Sequence, residues 1–487
     1  MKVALTIGAY EARSIIADAQ KCINLFIEAN PPDSPYPFTH YPTPGTDYLT
    51  TCPISGPVRA EYTTSNGLFL VVVGPNVYIV STAYGWTLLG QIQTTTGFVS
   101  IKDNTIVCVI VDGSATGFVI NLTGPDAGIN AYGQISSINF FGANKVDYLD
   151  TYLLFNRPGT NQFYYTFSNV TYSQLVDGVG FDPLAIAAKT GGNDNISGIA
   201  VMHRELWLIG THTSEVWFDS GASDFAFQAM PGAFIEHGCS SVASIAKYDL
   251  ALYWLGQDVQ GQFTIYKGAQ YNVERISTYP IEEAIASYSY VGDAIGFTYD
   301  QQGHAFYVLT FPTANVTWVY DIPEKHWHQR AWLDSAGTLN RWRANAYAVF
   351  NNELIVGDFQ NGNLYGLDLN TYLDNGSPIP RIRSFPHFVN ENRRVIHRNL
   401  IAAMEVGNEM NTSTNDQFMV SLRCSDDAGR SYGNAVEQSL GNTGQYLTSV
   451  QWNRLGLARD RVYELSWSAP MKTSLQGVYL DVIPSKT

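Results

Sequence analysis

A chain of 487 residues with 45% hydrophobic and 13% aromatic content can fill a large core, and its modest 15% of charged residues excludes a solvated, disordered polymer. Its 43 acidic residues outweigh 28 basic ones to give a net charge of −15, which repels phosphate at long range and argues against tight gripping of nucleic acid, though not against its loose passage. The five cysteines, Cys22, Cys52, Cys108, Cys239 and Cys424, never fall at C-x-x-C spacing, so neither a disulfide framework nor a structural zinc site is expected, and the chain reads as one that folds in a reducing compartment.

The opening MKVALTIGAYEARS is too brief an apolar run for a signal peptide, and no later window approaches 18 apolar residues, so the protein is expected to be soluble, or to reach its destination as part of an assembly and not by membrane insertion. EARSIIADAQKC, from Glu11, and the short EEAIASY, from Glu282, are the two stretches with helical periodicity. Between them lies CINLFIEANPPDSPYPFTHYPTPG, Cys22 to Gly45, with prolines at 31, 32, 35, 37, 42 and 44. Proline lacks the backbone donor that a ladder requires, so this stretch is expected to form an extended strap and no central strand. Such a strap crosses the rim of its own domain or reaches a neighbouring subunit, and its deletion is expected to impair assembly more than folding.

From Leu68 onward one pattern recurs: a run of β-formers, a polar Gly/Asn/Thr turn, and a second run carrying Tyr or Trp. Its instances begin at Leu68, Thr105, Tyr152, Leu206, Leu252, Phe306 and Leu354, separated by 37, 47, 54, 46, 54 and 48 residues. That period suits one four-stranded blade with its loops. The fold class predicted is therefore all-β: a β-propeller of about seven blades, with six or eight also allowed, over 46–380. Segment 1–45 precedes it as the extended Pro-rich stretch. After the Gly/Pro interruption DNGSPIPRIRSFP, alternating runs such as QFMVSLRCSDD and RVYELSWSAP predict a smaller sandwich-like or jelly-roll β domain over 381–487, with NEMNTSTNDQ as an exposed loop.

Catalytic signals are weak. SDDAGRSY, from Ser425, fits the Asp-box pattern S-x-D-x-G-x-[ST]-aromatic, in which Asp427 and Gly429 serve a turn and not an active site. A sialidase needs clustered arginines for a carboxylate, whereas Arg59, Arg157, Arg204, Arg275, Arg330, Arg341 and Arg343 are scattered. His326 and His328 in KHWHQR sit two apart, as a metal pair on a strand would, but no third ligand lies near, which favours solvent-facing histidines. Glu282–Glu283 and Asp426–Asp427 are neighbours in expected surface positions. No G-x-S-x-G elbow, P-loop or H-E-x-x-H occurs, and no catalytic, cofactor or metal residue is assigned. The basic cluster RIRSFP…ENRRVIHR, with Arg381, Arg383, Arg393 and Arg394, is either a contact for an acidic partner or a phosphate, or a solvated linker. Sequons such as Asn121, Asn169 and Asn315 are expected by chance in a chain rich in Asn and Thr.

Several stretches resemble the packaged-DNA stabilisation or tail-hub (nozzle) proteins of short-tailed, P22-like phages. They are CINLFIEANPPDSPYPFTHYPTPG, LWLIGTHTSEVWFDSG, GAFIEHGCSSVASIAKYDLALYWLGQD with ISTYPIEEAI, and LGNTGQYLTSVQWNRLGLARDRVYEL. Asn24, Pro44, Gly45, Glu215, Trp217, Gly221, Gly238, Cys239, Trp254 and Gly256 match the family's pattern, whereas Ala188-Lys189 stands where Ala-Glu is expected and the loop near Asn411 to Asn415 departs from it. The resemblance implies a non-enzymatic component of the virion tail, assembled in the host cytoplasm as a homohexameric ring below the portal and its adaptor ring. It implies that the ring continues the DNA channel, retains the packaged genome without sequence-specific binding, and meets tail fibre, spike or needle proteins. Asn24, Pro42, Pro44, Gly45, Arg381, Arg383, Arg393 and Arg394 are the residues expected at partner or subunit contacts. A propeller glycosidase or glycan-binding tail protein is the alternative.

Overall fold

The structure, a computed structural model, describes residues 2, 3, 5, 7–124, 128, 131–258, 260–408 and 417–485. Seven antiparallel four-stranded blades follow one another around an axis, and each of the seven hairpins read from the sequence forms the middle two strands of a blade. The first six blades span 58–91, 100–134, 146–188, 196–235, 246–275 and 295–333. In each, the first strand is innermost and lines the axis, and most of these strands pack against the first strand of the next blade. The middle strands are nearly continuous apolar runs such as Phe69–Val73 and Val107–Val111, because both their faces lie against another blade.

The seventh blade joins both ends of the chain. Its inner three strands are Ala344–Phe350, Glu353–Asp358 and Asn363–Asp368, and its outermost is Gly45–Thr51, paired antiparallel to the last of these. The circle closes where Phe69 of blade 1 stacks on Phe350 of blade 7, ring centroids 4.8 Å apart. Radial closure of this kind leaves few open strand edges.

The C-terminal part is a sandwich. One sheet orders Arg381–Ser384, Asp460–Trp467, Met419–Ser425 and Val436–Ser439. The other orders Leu25–Ala29, Phe38–Pro42, Leu475–Pro484, Val395–Met404 and Val450–Ala458. The N-terminal segment is therefore built into the sandwich, and the strand Phe38–Pro42 lies inside a sheet, which corrects the expectation that the Pro-rich stretch holds no such strand. The prolines permit this because Pro31, Pro32, Pro35 and Pro37 are confined to the hairpin loop and Pro42 ends its strand. Cys22–Ile23 bridges the propeller and the sandwich, pairing with His326–Leu333 of blade 6 on one side and Arg381–Ser384 on the other. One apolar core runs from Tyr253 and Tyr307 of the propeller through Leu25 to Trp452 and Leu465 of the sandwich.

Helix is rare. Tyr279–Ser287 forms where EEAIASY predicts it, with Pro280 in the first turn and Ile281 and Ile285 turned to the core. EARSIIADAQKC is not a helix: Tyr10–Glu11 pairs with Ala19–Gln20, and the Ala12 amide bonds the Asp18 carbonyl across the turn. Tyr172–Val176 is a short helix absent from the sequence reading, started by a Thr171/Gln174 capping box. Among the described residues no helix is long and apolar enough to cross a membrane. The loop expected at NEMNTSTNDQ, the departure near Asn411 to Asn415 among its residues, lies outside the described residues apart from its ends.

Candidate functional site

Two places concentrate polar chemistry: the junction of the N-terminal segment with blades 6 and 7 and the sandwich, and the propeller axis. At the junction, Asn24 adopts a left-handed φ of 56° and its side chain bonds three backbone groups. Its Nδ2 donates to the carbonyls of Ala331 (2.9 Å) and Pro380 (2.7 Å), and its Oδ1 accepts from the Ala331 amide (2.9 Å). Arg330 lies over the Trp342 ring at 3.5 Å and donates to the Pro44 carbonyl at 2.7 Å. A Cβ added at Gly45 would fall 2.4 Å from the carbonyl oxygens of Leu373 and Thr371, so the strand that closes the last blade enters at a point only glycine fits.

Arg381 and Arg383 are wholly buried. Arg381 donates to the carbonyls of Ala469 (2.8 Å) and Tyr372 (3.2 Å), and burial pulls its pKa down to about 10. Arg383 donates to the carbonyls of Lys21, Ser384 and Ile7, to Gln20 Oε1 and to His40 Nε2. This overturns both readings of RIRSFP: neither guanidinium is solvated or able to reach a partner. Asn24, Pro42, Pro44 and Gly45 are likewise buried within their own chain. Of the eight residues, Arg393 and Arg394 alone are exposed. They were grouped with the others by charge and proximity in sequence, which carry no information about the inward turn at Arg381.

The histidine pair is also corrected. His326 and His328 share a strand face as their spacing requires, but neither faces solvent freely: His326 is half-buried and His328 fully so. Burial, then the Arg330 charge, lowers the His328 pKa to about 3, so it is neutral. Among the described residues no group of three His, Cys, Asp or Glu is placed to hold a metal, and all five cysteines are free thiols.

SDDAGRSY forms the turn its pattern describes. Asp427 accepts from Ser425 Oγ (2.6 Å), Ser431 Oγ (2.6 Å) and the Ser431 amide (2.9 Å), while Gly429 takes φ +86° and donates to Ser425 Oγ. Those bonds, from Ser425 first and then Ser431, hold the Asp427 carboxyl below its usual range. Its oxygens are engaged by its own turn. The adjacent carboxylates do not work in pairs either: Glu282 binds Arg275 and Ser277, and Asp426 binds Arg461.

The residues behind the resemblance in blades 4 and 5 prove to be packing devices where blade 4 meets blades 3 and 5. Glu215 accepts from Trp217 Nε1 and the amides of Thr190 and Gly191. Trp254 Nε1 donates to the Gly238 carbonyl at 2.9 Å, and a Cβ on Gly256 would meet the Tyr266 ring at 2.4 Å. Lys189, at the departing position, is buried and donates to Asp194 Oδ1 (2.5 Å) and to the Thr213 carbonyl and hydroxyl.

The axis holds a cavity of about 280 Å³ lined by the inner strands of all seven blades. Sequence reasoning missed its charged residues. Lys102 Nζ lies 3.3 Å from Asp147 Oδ1, Lys145 Nζ donates to the Ile245 carbonyl (2.9 Å), and Lys247 Nζ donates to the Val201 carbonyl (3.0 Å). Asp147 also accepts from the amides of Tyr148 and Val201. Arg59, at the rim, is consumed by the carbonyls of Gly74, Thr94, Thr96 and Gly97. Burial raises the Glu61 pKa well above the carboxylate range, which keeps it neutral. A signal was available: lysines are scarce, yet three repeats carry one a few residues before the hairpin, on the strand that lines the axis.

Compared with known proteins, residues 11–372 match the family model described as bacteriophage P22 Gp10, beta-propeller, and residues 381–482 match the one described as bacteriophage P22 Gp10, beta-sandwich. No curated protein matches the sequence. Similar solved structures include the WD40 propeller domain of Doa1, at 8% identity and TM-score 0.40, over 67% of this chain and 97% of that one. The extracellular domain of the putative hybrid two-component system BT4673 from B. thetaiotaomicron is similar at 10% identity and TM-score 0.43, over 77% of this chain and 43% of that one. The N-terminal domain of Nup159 is similar at 8% identity and TM-score 0.41, over 71% and 98%. The two family models between them cover nearly the whole sequence, and the chain belongs to the bacteriophage P22 Gp10 family of phage structural proteins.

Proposed function

We propose that this protein is a tail hub, or nozzle: a non-enzymatic ring of six identical subunits below the portal and its adaptor ring, which continues the DNA channel and retains the packaged genome. It assembles in the host cytoplasm and meets the adaptor ring above and tail fibre, spike or needle proteins at its outer surfaces. The observation that carries this reading is the match to both the propeller and the sandwich models of a phage structural family.

The geometry supports a conduit between subunits and not through one. The inner strands of adjacent blades touch, and the axial cavity of about 280 Å³ cannot pass a duplex whose major groove alone is about 12 Å wide. DNA therefore passes through a lumen enclosed by several copies. The net charge of −15 suits its wall, because sliding requires few phosphate contacts. Exposed Arg393 and Arg394 remain available to an acidic partner. The glycosidase reading loses its motive, since Asp427 is engaged by its own turn.

The test is native mass measurement and cryo-EM imaging of purified protein with a portal–adaptor complex. A closed sixfold ring on the complex is expected. A strictly monomeric protein that ignores it overturns the reading.

A further inference from the structure

We propose that the propeller's axial cavity is a binding site for one small divalent oxyanion of the phosphate class, held by Lys102, Lys145 and Lys247. The inference is independent of how many copies assemble. It begins with a charge imbalance. Three ammonium groups, contributed by blades 2, 3 and 5, line one cavity of about 280 Å³, and the carboxylate that pairs with one of them is Asp147. Asp147 pairs with Lys102 and also accepts from the amides of Tyr148 and Val201.

Lys145 and Lys247 face neutral carbonyls, which orient an ammonium without cancelling its charge. Glu61, the other acidic residue at the wall, has its pKa pushed up by burial, and Arg59 is engaged by loop carbonyls at the rim. The cavity thus carries two uncompensated positive charges in a protein whose net charge is −15. Like charges confined between low-dielectric walls repel more strongly than in water. Burial draws the Lys145 pKa down to about 8 against the opposing pull of the Asp147 carboxylate, and Lys102 adds a smaller lowering.

A divalent anion removes the imbalance. Each ammonium has three donors, and each lysine spends one on the partner named above, so donors on each of the three remain for the oxygens of an anion in the cavity they line. Lysine binds phosphate as a point charge, which suits a site assembled from separate blades better than a planar fork would. The cavity, at about 280 Å³, has room for a phosphate or sulfate with a few waters. A bound anion would also tie three inner strands to one another and stiffen the ring of blades.

The test is calorimetric titration of the full-length protein with inorganic phosphate at constant ionic strength, with chloride as the balancing ion. One saturable site per chain is expected, weakened at least tenfold by Lys247→Met and by Lys145→Met and unchanged by Arg459→Ala on the exposed surface. Absence of saturable heat, equal affinity in Lys247→Met, or equal weakening by Arg459→Ala overturns the proposal. Lys145 is half-buried and its replacement risks the fold, so the unaltered protein supplies a second readout. Its Tm is expected to rise with phosphate concentration at fixed ionic strength, and a Tm indifferent to phosphate counts against the site.

Discussion

Arg383 Nε and His40 Nε2 lie 3.2 Å apart, both wholly buried, and this contact joins the sandwich to the N-terminal hairpin. Burial, then the Arg383 charge, keeps His40 neutral, so its Nε2 accepts the guanidinium's proton. Arg383→Met would strand the carbonyls of Lys21, Ser384 and Ile7 along with Gln20 Oε1 and His40 Nε2. A loss of about 3 kcal/mol or more is expected, since hydrogen bonds to a charged group are worth about 1.5–3 kcal/mol each. The guanidinium-chloride midpoint measures it, and an unshifted midpoint would contradict the role given to this residue.

His328 predicts a pH effect of defined sign. Its folded pKa of about 3 lies below the unfolded value of about 6.5, so below that pH the unfolded chain binds a proton that the folded one refuses. The wild type therefore loses up to about 1.4 kcal/mol per pH unit from this residue as pH falls from about 6.5 toward 3. His328→Gln lacks the penalty. Its stability relative to wild type should improve by that slope between pH 6.5 and 4.5, and a constant difference would show that His328 is not held neutral.

Gly45→Val places a side chain against the carbonyls of Leu373 and Thr371 where none fits. Forced displacement of the closing strand is expected to cost about 1–3 kcal/mol, the usual range for overpacking. Proteolysis should then cut near residues 45–55 faster than in wild type, while the sandwich stays resistant.

Lys189→Met removes the cation from a pair whose ammonium is fully buried beside a largely buried Asp194. Breaking such a pair is expected to cost about 3–5 kcal/mol. Restoring a glutamate at position 189, the residue expected from the resemblance, should be worse still while Asp194 remains, because two carboxylates would then share the site. A Lys189→Glu chain as stable as wild type would refute this account.

The blades were legible because their middle strands are buried on both faces and end in polar turns, so LYWLGQDVQGQFTIYKG declares a hairpin without tertiary knowledge. The Asp-box turn was legible for the same reason, since Asp427, Gly429 and Ser431 satisfy one another locally. The junction was not. RIRSFP is equally consistent with solvent or with a buried hub, and what decides is the arrival of carbonyls from Lys21 and Ala469, far away in sequence. EARSIIADAQKC failed for a related cause: its helical periodicity lost to pairing between Glu11 and Ala19 and to the packing around Arg383. The axial lysines escaped notice because a single lysine in each of three repeats forms no cluster until the blades close.

The seventh blade sets a schedule for synthesis. Asp47 and Thr371, which hydrogen-bond where the closing strand enters, stand 324 residues apart. At a ribosomal pace of about 5–20 residues per second, the first strand waits roughly 15 to 65 s for its partner to be made. Throughout that interval blade 1 has no neighbour on one side, and Phe69 has no Phe350 to cover it. The nascent chain must be kept from pairing that sticky flank with another copy, so a step exposed to error in producing this protein is closure of the propeller, when its first and last strands meet.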